Sequence, residues 1–138
     1  HCVLEIGCGT GYISAVLARL AAKVVALESD PALAGRARQS LATLGQGRVK
    51  VVDGPLEAGH VADAPYDAIV VCGSLPEVPE SLIRQIKEGG RIVAIVGDRT
   101  TGRMTVFARA GNALSGVEHY DAPLAPLPGF ERAPSFVF

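Results

Sequence analysis

A short apolar run that breaks into three alternating glycines constrains this chain more than any other feature of its sequence. Residues 3–6 are typical of a buried strand, and Gly7, Gly9 and Gly11 follow at once. A segment with helical spacing comes next and predicts a buried face made of Ile13, Val16, Leu17 and Leu20. Strand, glycine turn and helix in this order open a nucleotide-binding α/β unit, because glycine lets the backbone approach a ligand closely.

The spacing of the glycines separates two classes of cofactor. Dinucleotide folds prefer G-x-G-x-x-G, whereas the third glycine here comes one residue early and Tyr12 stands in its place. An acid, Glu5, lies two residues before Gly7, so the turn has the form E-x-G-x-G-x-G, with Cys8 inside it. This form is typical of methyltransferases that use S-adenosylmethionine, and it favours that cofactor over a nicotinamide.

Two further helices are marked by their first and last residues. Asp30 is expected as an N-cap and Pro31 at the first helical position, with Gly45 at the end. This helix is predicted to bury Leu33, Ala37, Leu41 and Leu44. Pro79 predicts the start of another helix, closed at Gly89-Gly90, whose inward residues are Leu82, Ile83 and Ile86.

The order of elements predicts one α/β domain over residues 1–138. Further buried strands are expected at 24–27, 49–52, 66–71 and 91–96, and a hairpin at 104–108 and 114–120. The fold class is therefore a Rossmann-like, doubly wound, mostly parallel sheet with a C-terminal antiparallel hairpin. The Pro/Phe-rich tail at 121–138 is expected to dock on the sheet edge.

The first strand begins almost at His1, so the helix expected before it is lacking. We therefore expect the C-terminal part of a longer chain. Such a form should expose a strip of Val and Ile side chains, and it should either associate with itself or be less stable than its parent.

Composition narrows the partners. A net charge of −1 with interspersed signs gives no basic surface for nucleic acid or membrane, and no apolar run reaches the roughly 18–20 residues of a membrane span. Three cysteines without C-x-x-C spacing argue against a disulfide framework or zinc site and favour a reducing cytoplasm. No clustered metal ligands are evident, so no metal is expected.

Residues that end the predicted strands are the candidates for cofactor binding, because ligands of open α/β sheets lie at the carboxyl ends of the strands. Glu28 ends the second strand, where its carboxylate can accept both ribose hydroxyls, and Ser29 follows it. For Glu5 two interpretations remain open: it orients the glycine turn, or it reaches the cofactor's ammonium group directly or through water. Cys8 and Cys72 end neighbouring strands and are expected to lie close together.

Several segments resemble the protein-L-isoaspartate O-methyltransferase family. The stretches at 3–12 and 28–31 are shared by many methyltransferases, whereas P-E-V-P-x-x-L at 76–82 followed by Q-x-K-x-G-G-R at 85–91 is more specific. The resemblance implies transfer of a methyl group from S-adenosylmethionine to the α-carboxylate of L-isoaspartyl residues in damaged proteins. A protein or peptide that carries isoaspartate is then the expected partner.

By the same resemblance, the three glycines cradle the cofactor, Glu28 binds the ribose and the residues after the third strand hold the adenine. The family commonly has G-D-G there, whereas this chain has Asp53-Gly54-Pro55-Leu56. Either Asp53 takes the adenine-contacting role or Pro55 has replaced that acid. The backbone N–H of Leu56 could bind the ring in either case.

The catalytic residues stay unassigned, because the family's substrate-gripping hydroxyl lies upstream of the glycine motif. The family's alanine-rich run is replaced by Cys72-Gly73-Ser74-Leu75, and Ser74 is not expected to be catalytic. Three alternative functions remain: a cofactor-binding module without catalysis, a methyltransferase with another acceptor, and a nicotinamide oxidoreductase. Tyr12, which stands where a dinucleotide fold has its third glycine, argues against the last of these.

Overall fold

The computed structural model describes residues 1–97, 101–122 and 124–130. Its strands are β1 (Cys2–Ile6), β2 (Lys23–Glu28), β3 (Val49–Asp53), β4 (Tyr66–Leu75), β5 (Ile86–Gly97), β6 (Gly102–Ala110) and β7 (Ala113–Asp121). Its helices are α1 (Tyr12–Leu17), α2 (Pro31–Thr43) and α3 (Glu80–Ile83), with 3₁₀ turns at Leu56–Ala58 and Val61–Asp63.

The strands form one sheet in the order β3-β2-β1-β4-β5-β6-β7. The first five are parallel, whereas β6 runs antiparallel to β5 and β7 antiparallel to β6. The predicted fold class is confirmed, including the antiparallel hairpin at the end. The strand order reverses between β1 and β4, and this point fixes where a ligand crevice opens.

The two faces of the sheet have separate cores. One face packs against α1 and α2 through small residues such as Ala18, Ala21 and Ala37. The other face carries the larger core, in which Tyr66, Leu56 and Leu82 lie under the 3₁₀ turns and α3. Because parallel strands are covered on both faces, successive residues of β1 and β2 are buried, at 3–6 and at 24–28.

The prediction of the buried face of α1 is right for Leu17, which packs against the core, and wrong for its other three residues. Ile13, Val16 and Leu20 are 40%, 44% and 78% exposed, and the residues that pack inward are Ser14 and Ala18. Helix α1 is short and lies close to the sheet, so only small side chains fit beneath it. Exposed apolar side chains therefore lie on and just after this helix, and also on β7, where Val117 and Tyr120 are 62% and 59% exposed.

The second helix begins as predicted: the Asp30 carboxylate accepts from the backbone N–H of Ala32 at 2.9 Å and Pro31 opens the helix. Its buried residues are Ala34, Ala37 and Leu41. Leu44 is 63% exposed, contrary to expectation, because the helix ends at Thr43.

The helix expected from Pro79 to Gly89-Gly90 is only four residues long. Ile86 already belongs to β5, and Gly90 lies inside that strand. A Cβ at Gly90 would lie 2.7 Å from Ile86 Cγ1 and 2.9 Å from the Lys87 carbonyl oxygen. The two glycines therefore allow a bulged strand to fold back closely on itself instead of ending a helix.

The C-terminal segment lies partly outside the described residues, which include neither Phe136 nor Phe138. Phe130 is buried in the larger core, and residues 124–127 cross the carboxyl end of β4. The described part of the tail thus docks beside the switch point of the sheet.

Candidate cofactor site

A crevice at the carboxyl ends of β1, β2 and β4 brings the predicted site residues together. The glycine turn leaves β1, Glu28 is the last residue of β2, and Cys72 lies near the end of β4. In the register of the sheet, Glu5 is paired with Ala26 of β2 and Val70 of β4. Glu5 is therefore on a central strand, directly below the turn.

The three glycines of the turn all have positive φ, at 82°, 56° and 93°, which other residues rarely adopt. A Cβ at Gly11 would meet Leu41 at 3.3 Å, so this glycine allows α2 to pack closely. A Cβ at Gly9 would meet nothing within 4 Å. The space over Gly9 is open, as a ligand that lies against the backbone requires.

Glu28 braces the turn, a role that its sequence position did not indicate. Its Oε1 accepts from the backbone N–H of Gly9 at 2.8 Å, and its Oε2 accepts from Ser29 and Asp30 at 2.8 and 3.0 Å. The side chain is 6% exposed. A carboxylate offers about four lone-pair positions, so three are used and one stays available to a ligand hydroxyl.

Glu5 is completely buried and accepts hydrogen bonds on both oxygens from the Ser14 hydroxyl, at 2.7 and 3.1 Å. Burial raises the pKa of Glu5 to about 6, the Ser14 hydrogen bond opposes that rise and the charge of Glu28 adds to it. Because the side chain exposes no surface, Glu5 does not reach directly into the crevice.

Cys8 and Cys72 lie on either side of Glu5. Burial raises the pKa of each thiol to about 12, and the charge of Glu5 contributes to both. The Cys8 thiol also raises the pKa of Cys72, as expected for two thiols that lie close together. Both thiols are thus neutral at physiological pH and act as small apolar groups in the crevice.

Asp53, which ends β3, and the loop that follows it make separate contacts. Asp53 pairs with Arg38 of α2, with 2.7 Å between Oδ2 and Nη2, and its side chain is about half exposed. The backbone N–H of Gly54 donates to the carbonyl of Glu28 at 3.1 Å. Leu56 is buried in the larger core and anchors this loop.

Residues 124–127 form a strap over the end of β4. The N–H of Ser74 donates to Ala125 at 3.1 Å, and the N–H of Leu127 donates to Ser74 at 3.0 Å. A Cβ at Gly7 would lie 3.1 Å from Leu127, and one at Gly73 only 2.5 Å. The Leu127 side chain therefore lies against both the glycine turn and the end of β4. Ser74 has no exposed surface.

The described residues hold no group of three or more His, Cys, Asp or Glu that could bind a metal ion. Among the described helices, none combines the length and apolar character that a membrane crossing requires.

This strand order, the glycine turn and the carboxylate at the end of β2 define a Rossmann-like cofactor domain of the methyltransferase class. The family model described as Protein-L-isoaspartate(D-aspartate) O-methyltransferase matches residues 1–123. The chain belongs to this family.

Individual relatives support the same placement. The chain is 54% identical over 97 residues to the protein-L-isoaspartate O-methyltransferase of Methanoculleus marisnigri. The aligned region covers 70% of this chain and 44% of that protein. A solved protein-L-isoaspartate O-methyltransferase superposes with a TM-score of 0.88 at 30% identity, over 94% of this chain and 43% of the other. A Plasmodium falciparum protein in complex with S-adenosyl-L-homocysteine shares the fold, with a TM-score of 0.75 at 18% identity over 93% and 66% of the two chains. The chain spans about half the length of the curated relatives it matches.

Proposed function

We propose that this chain binds S-adenosylmethionine and takes part in methyl transfer from it to the carboxylate of L-isoaspartyl residues in damaged proteins. Family membership supports the reaction class. The observation that carries the cofactor assignment is the nearly buried Glu28 carboxylate with one free lone-pair position, next to the open space over Gly9.

The residues of the crevice fit the cofactor in a definite order. Glu28 lies on the β2 side and would accept from the ribose, while the glycine turn would lie under the middle of the molecule. The end of β4 and Leu127 would then hold the methionine end. The cofactor supplies a methyl group on a positively charged sulfur, and the protein supplies its orientation.

The acceptor needs little chemical activation. A carboxylate is already ionised at neutral pH, so its attack on the methyl carbon requires no general base. Alignment of the two reactants and exclusion of water then provide the rate enhancement. Leu127, which lies against Gly7 and Gly73, would supply an apolar wall beside the bound cofactor.

A methyl-transfer assay tests the proposal. The protein is incubated with radiolabelled S-adenosylmethionine and either an isoaspartyl peptide or the same peptide with ordinary aspartate. Labelled methyl ester on the isoaspartyl peptide alone is the expected result. Cofactor binding without transfer would favour the non-catalytic module, and transfer to a different carboxylate would change the assigned acceptor.

Two lesser features complete the proposal. The three cysteines are free thiols, which suits a reducing cytoplasm. The exposed apolar side chains on and just after α1, with Tyr12 76% and Leu20 78% exposed, support self-association of this chain.

A further inference from the structure

The buried pair of Glu5 and Ser14 has no role in the binding scheme above. Neither side chain has any exposed surface. Among the described residues, the Ser14 hydroxyl is the one hydrogen-bond donor to the carboxylate, and no cation pairs with it. One hydroxyl leaves most of the lone-pair positions of Glu5 unused, which is unfavourable for a buried carboxylate.

The pair connects the two ends of the glycine turn. Glu5 lies on β1 two residues before Gly7, and Ser14 is the third residue of α1, three residues after Gly11. Their hydrogen bonds therefore join the strand to the helix beneath the turn. Two neutral groups could join the strand to the helix without the free-energy cost of burying a charge. The charge of Glu5 therefore indicates a role beyond holding the turn together.

Side chains from four neighbouring segments interact with the charge of Glu5. Glu28 approaches from β2, Cys8 from the turn, Cys72 from β4 and Ser14 from α1. Glu5 raises the pKa of both thiols, so its field extends to the crevice rather than ending at Ser14. Among the residues that the structure describes, Arg38 is the one cation that acts on Cys8, and it pairs with Asp53.

We propose that Ser14 is a positioning residue of the cofactor site, which holds the Glu5 carboxylate beneath the glycine turn so that its negative charge favours the cationic end of the ligand. This inference rests on the proposed cofactor. Glu5 acts through space, across an interior of low dielectric, and does not touch the ligand. Ser14 acts by keeping the carboxylate in place and ionised.

The test measures dissociation constants of S-adenosylmethionine and of adenosine at pH 7.0 and 8.5. Adenosine is the neutral reference, since it lacks the charged methionine end. The variants are Ser14→Ala, Ser14→Thr, which keeps the hydroxyl, and Glu5→Gln. Ser40→Ala is the matched control, because it makes the same change at an exposed position of α2.

We expect Ser14→Ala to weaken S-adenosylmethionine binding about 2- to 10-fold at pH 7.0 and less than about twofold at pH 8.5. The lost hydrogen bond favoured the ionised form, so the pKa of Glu5 rises further in this variant and a smaller fraction is charged at pH 7.0. The ligand's own amine titrates identically with both proteins, so it cancels from the ratio. Ser14→Thr keeps the hydroxyl donor, so the ratio of its S-adenosylmethionine affinities at the two pH values should match wild type, although its added methyl lowers stability beneath α1. Ser40→Ala and all adenosine affinities should match wild type, and Glu5→Gln should lose S-adenosylmethionine affinity at both pH values.

The inference is overturned if Ser14→Ala and Glu5→Gln bind S-adenosylmethionine as wild type does. It is also overturned if they weaken adenosine equally, because the pair would then only support the turn. If adding Ser14→Ala to Glu5→Gln causes a further pH-dependent loss, Ser14 does not act through Glu5. Absence of S-adenosylmethionine binding by wild type would instead refute the proposed function itself.

Discussion

Replacing Glu28 by glutamine should reduce both stability and cofactor affinity. The carboxylate accepts three backbone N–H groups. A glutamine oxygen can keep the two on one side, from Ser29 and Asp30, but its amide nitrogen would then face the N–H of Gly9. Two donors cannot bond to each other, so at least one charge-assisted hydrogen bond is lost.

The loss of a hydrogen bond to a charged group costs about 1.5–3 kcal/mol. For a domain of this size the melting temperature should fall by about 5–15 °C. If the remaining lone-pair position receives a ribose hydroxyl, the same substitution should weaken S-adenosylmethionine binding by roughly 10- to 150-fold. Glu28→Ala removes all three bonds and should be less stable than Glu28→Gln.

Differential scanning calorimetry and isothermal titration of the same samples measure both effects. Glu80→Gln is the matched control, because it removes one charge from an exposed ion pair with Arg84. Its cost should stay below about 1 kcal/mol, with affinity unchanged. A melting temperature equal to wild type for Glu28→Gln would show that the Gly9 bond contributes nothing. A lower melting temperature with unchanged affinity would show that Glu28 braces the turn without facing the ribose.

Three other predictions concern separate parts of the molecule. Glu5→Gln should raise the free energy of unfolding by about 2 kcal/mol at pH 7 and by little at pH 4. The pKa of Glu5 in the folded protein is raised to about 6, so wild type loses stability as the pH rises through that value, whereas the glutamine variant does not. Denaturant unfolding at both pH values measures this, and the same difference at pH 4 and pH 7 would refute it. Gly73→Ala should cost about 1–3 kcal/mol because its Cβ would lie 2.5 Å from Leu127, and adding Leu127→Ala should restore part of that stability, so strictly additive losses in thermal melts would contradict the strap geometry. Leu20→Glu should lower the weight-average mass found by sedimentation without lowering the melting temperature, and an unchanged mass would place any association elsewhere.

The topology could be predicted because it follows from local patterns. Apolar runs of strand length, separated by caps such as Asp30-Pro31, determine the alternation, and the right-handed crossover then restricts the strand order. The crevice follows from the same order, since the ends of β1, β2 and β4 must meet. These inferences needed no knowledge of how individual side chains pack.

The errors arise where packing overrides periodicity. Helix α1 has a regular apolar spacing, yet Ser14 is buried and Val16 exposed because only small residues fit under a short helix near the sheet. Gly89-Gly90 looks like a helix end but belongs to a bulged strand. One signal for the buried Ser14 was available: a hydroxyl placed among apolar residues near a strand acid, Glu5.

The braces of the turn could not be predicted from position alone. The sequence places Glu28 at a strand end, where a ligand contact is the natural hypothesis, but its bonds to Gly9 and Asp30 depend on how the turn folds back. Asp53 likewise ends a strand, where contact with the adenine is a natural hypothesis, and the structure pairs it with Arg38.

Calorimetric titration of the protein with S-adenosylmethionine and with NAD tests the central claim most directly. The open space over Gly9, the acid at the end of β2 and the form of the glycine turn predict heat of binding with S-adenosylmethionine and none with NAD at the same concentration. Binding of NAD without any response to S-adenosylmethionine would contradict the account.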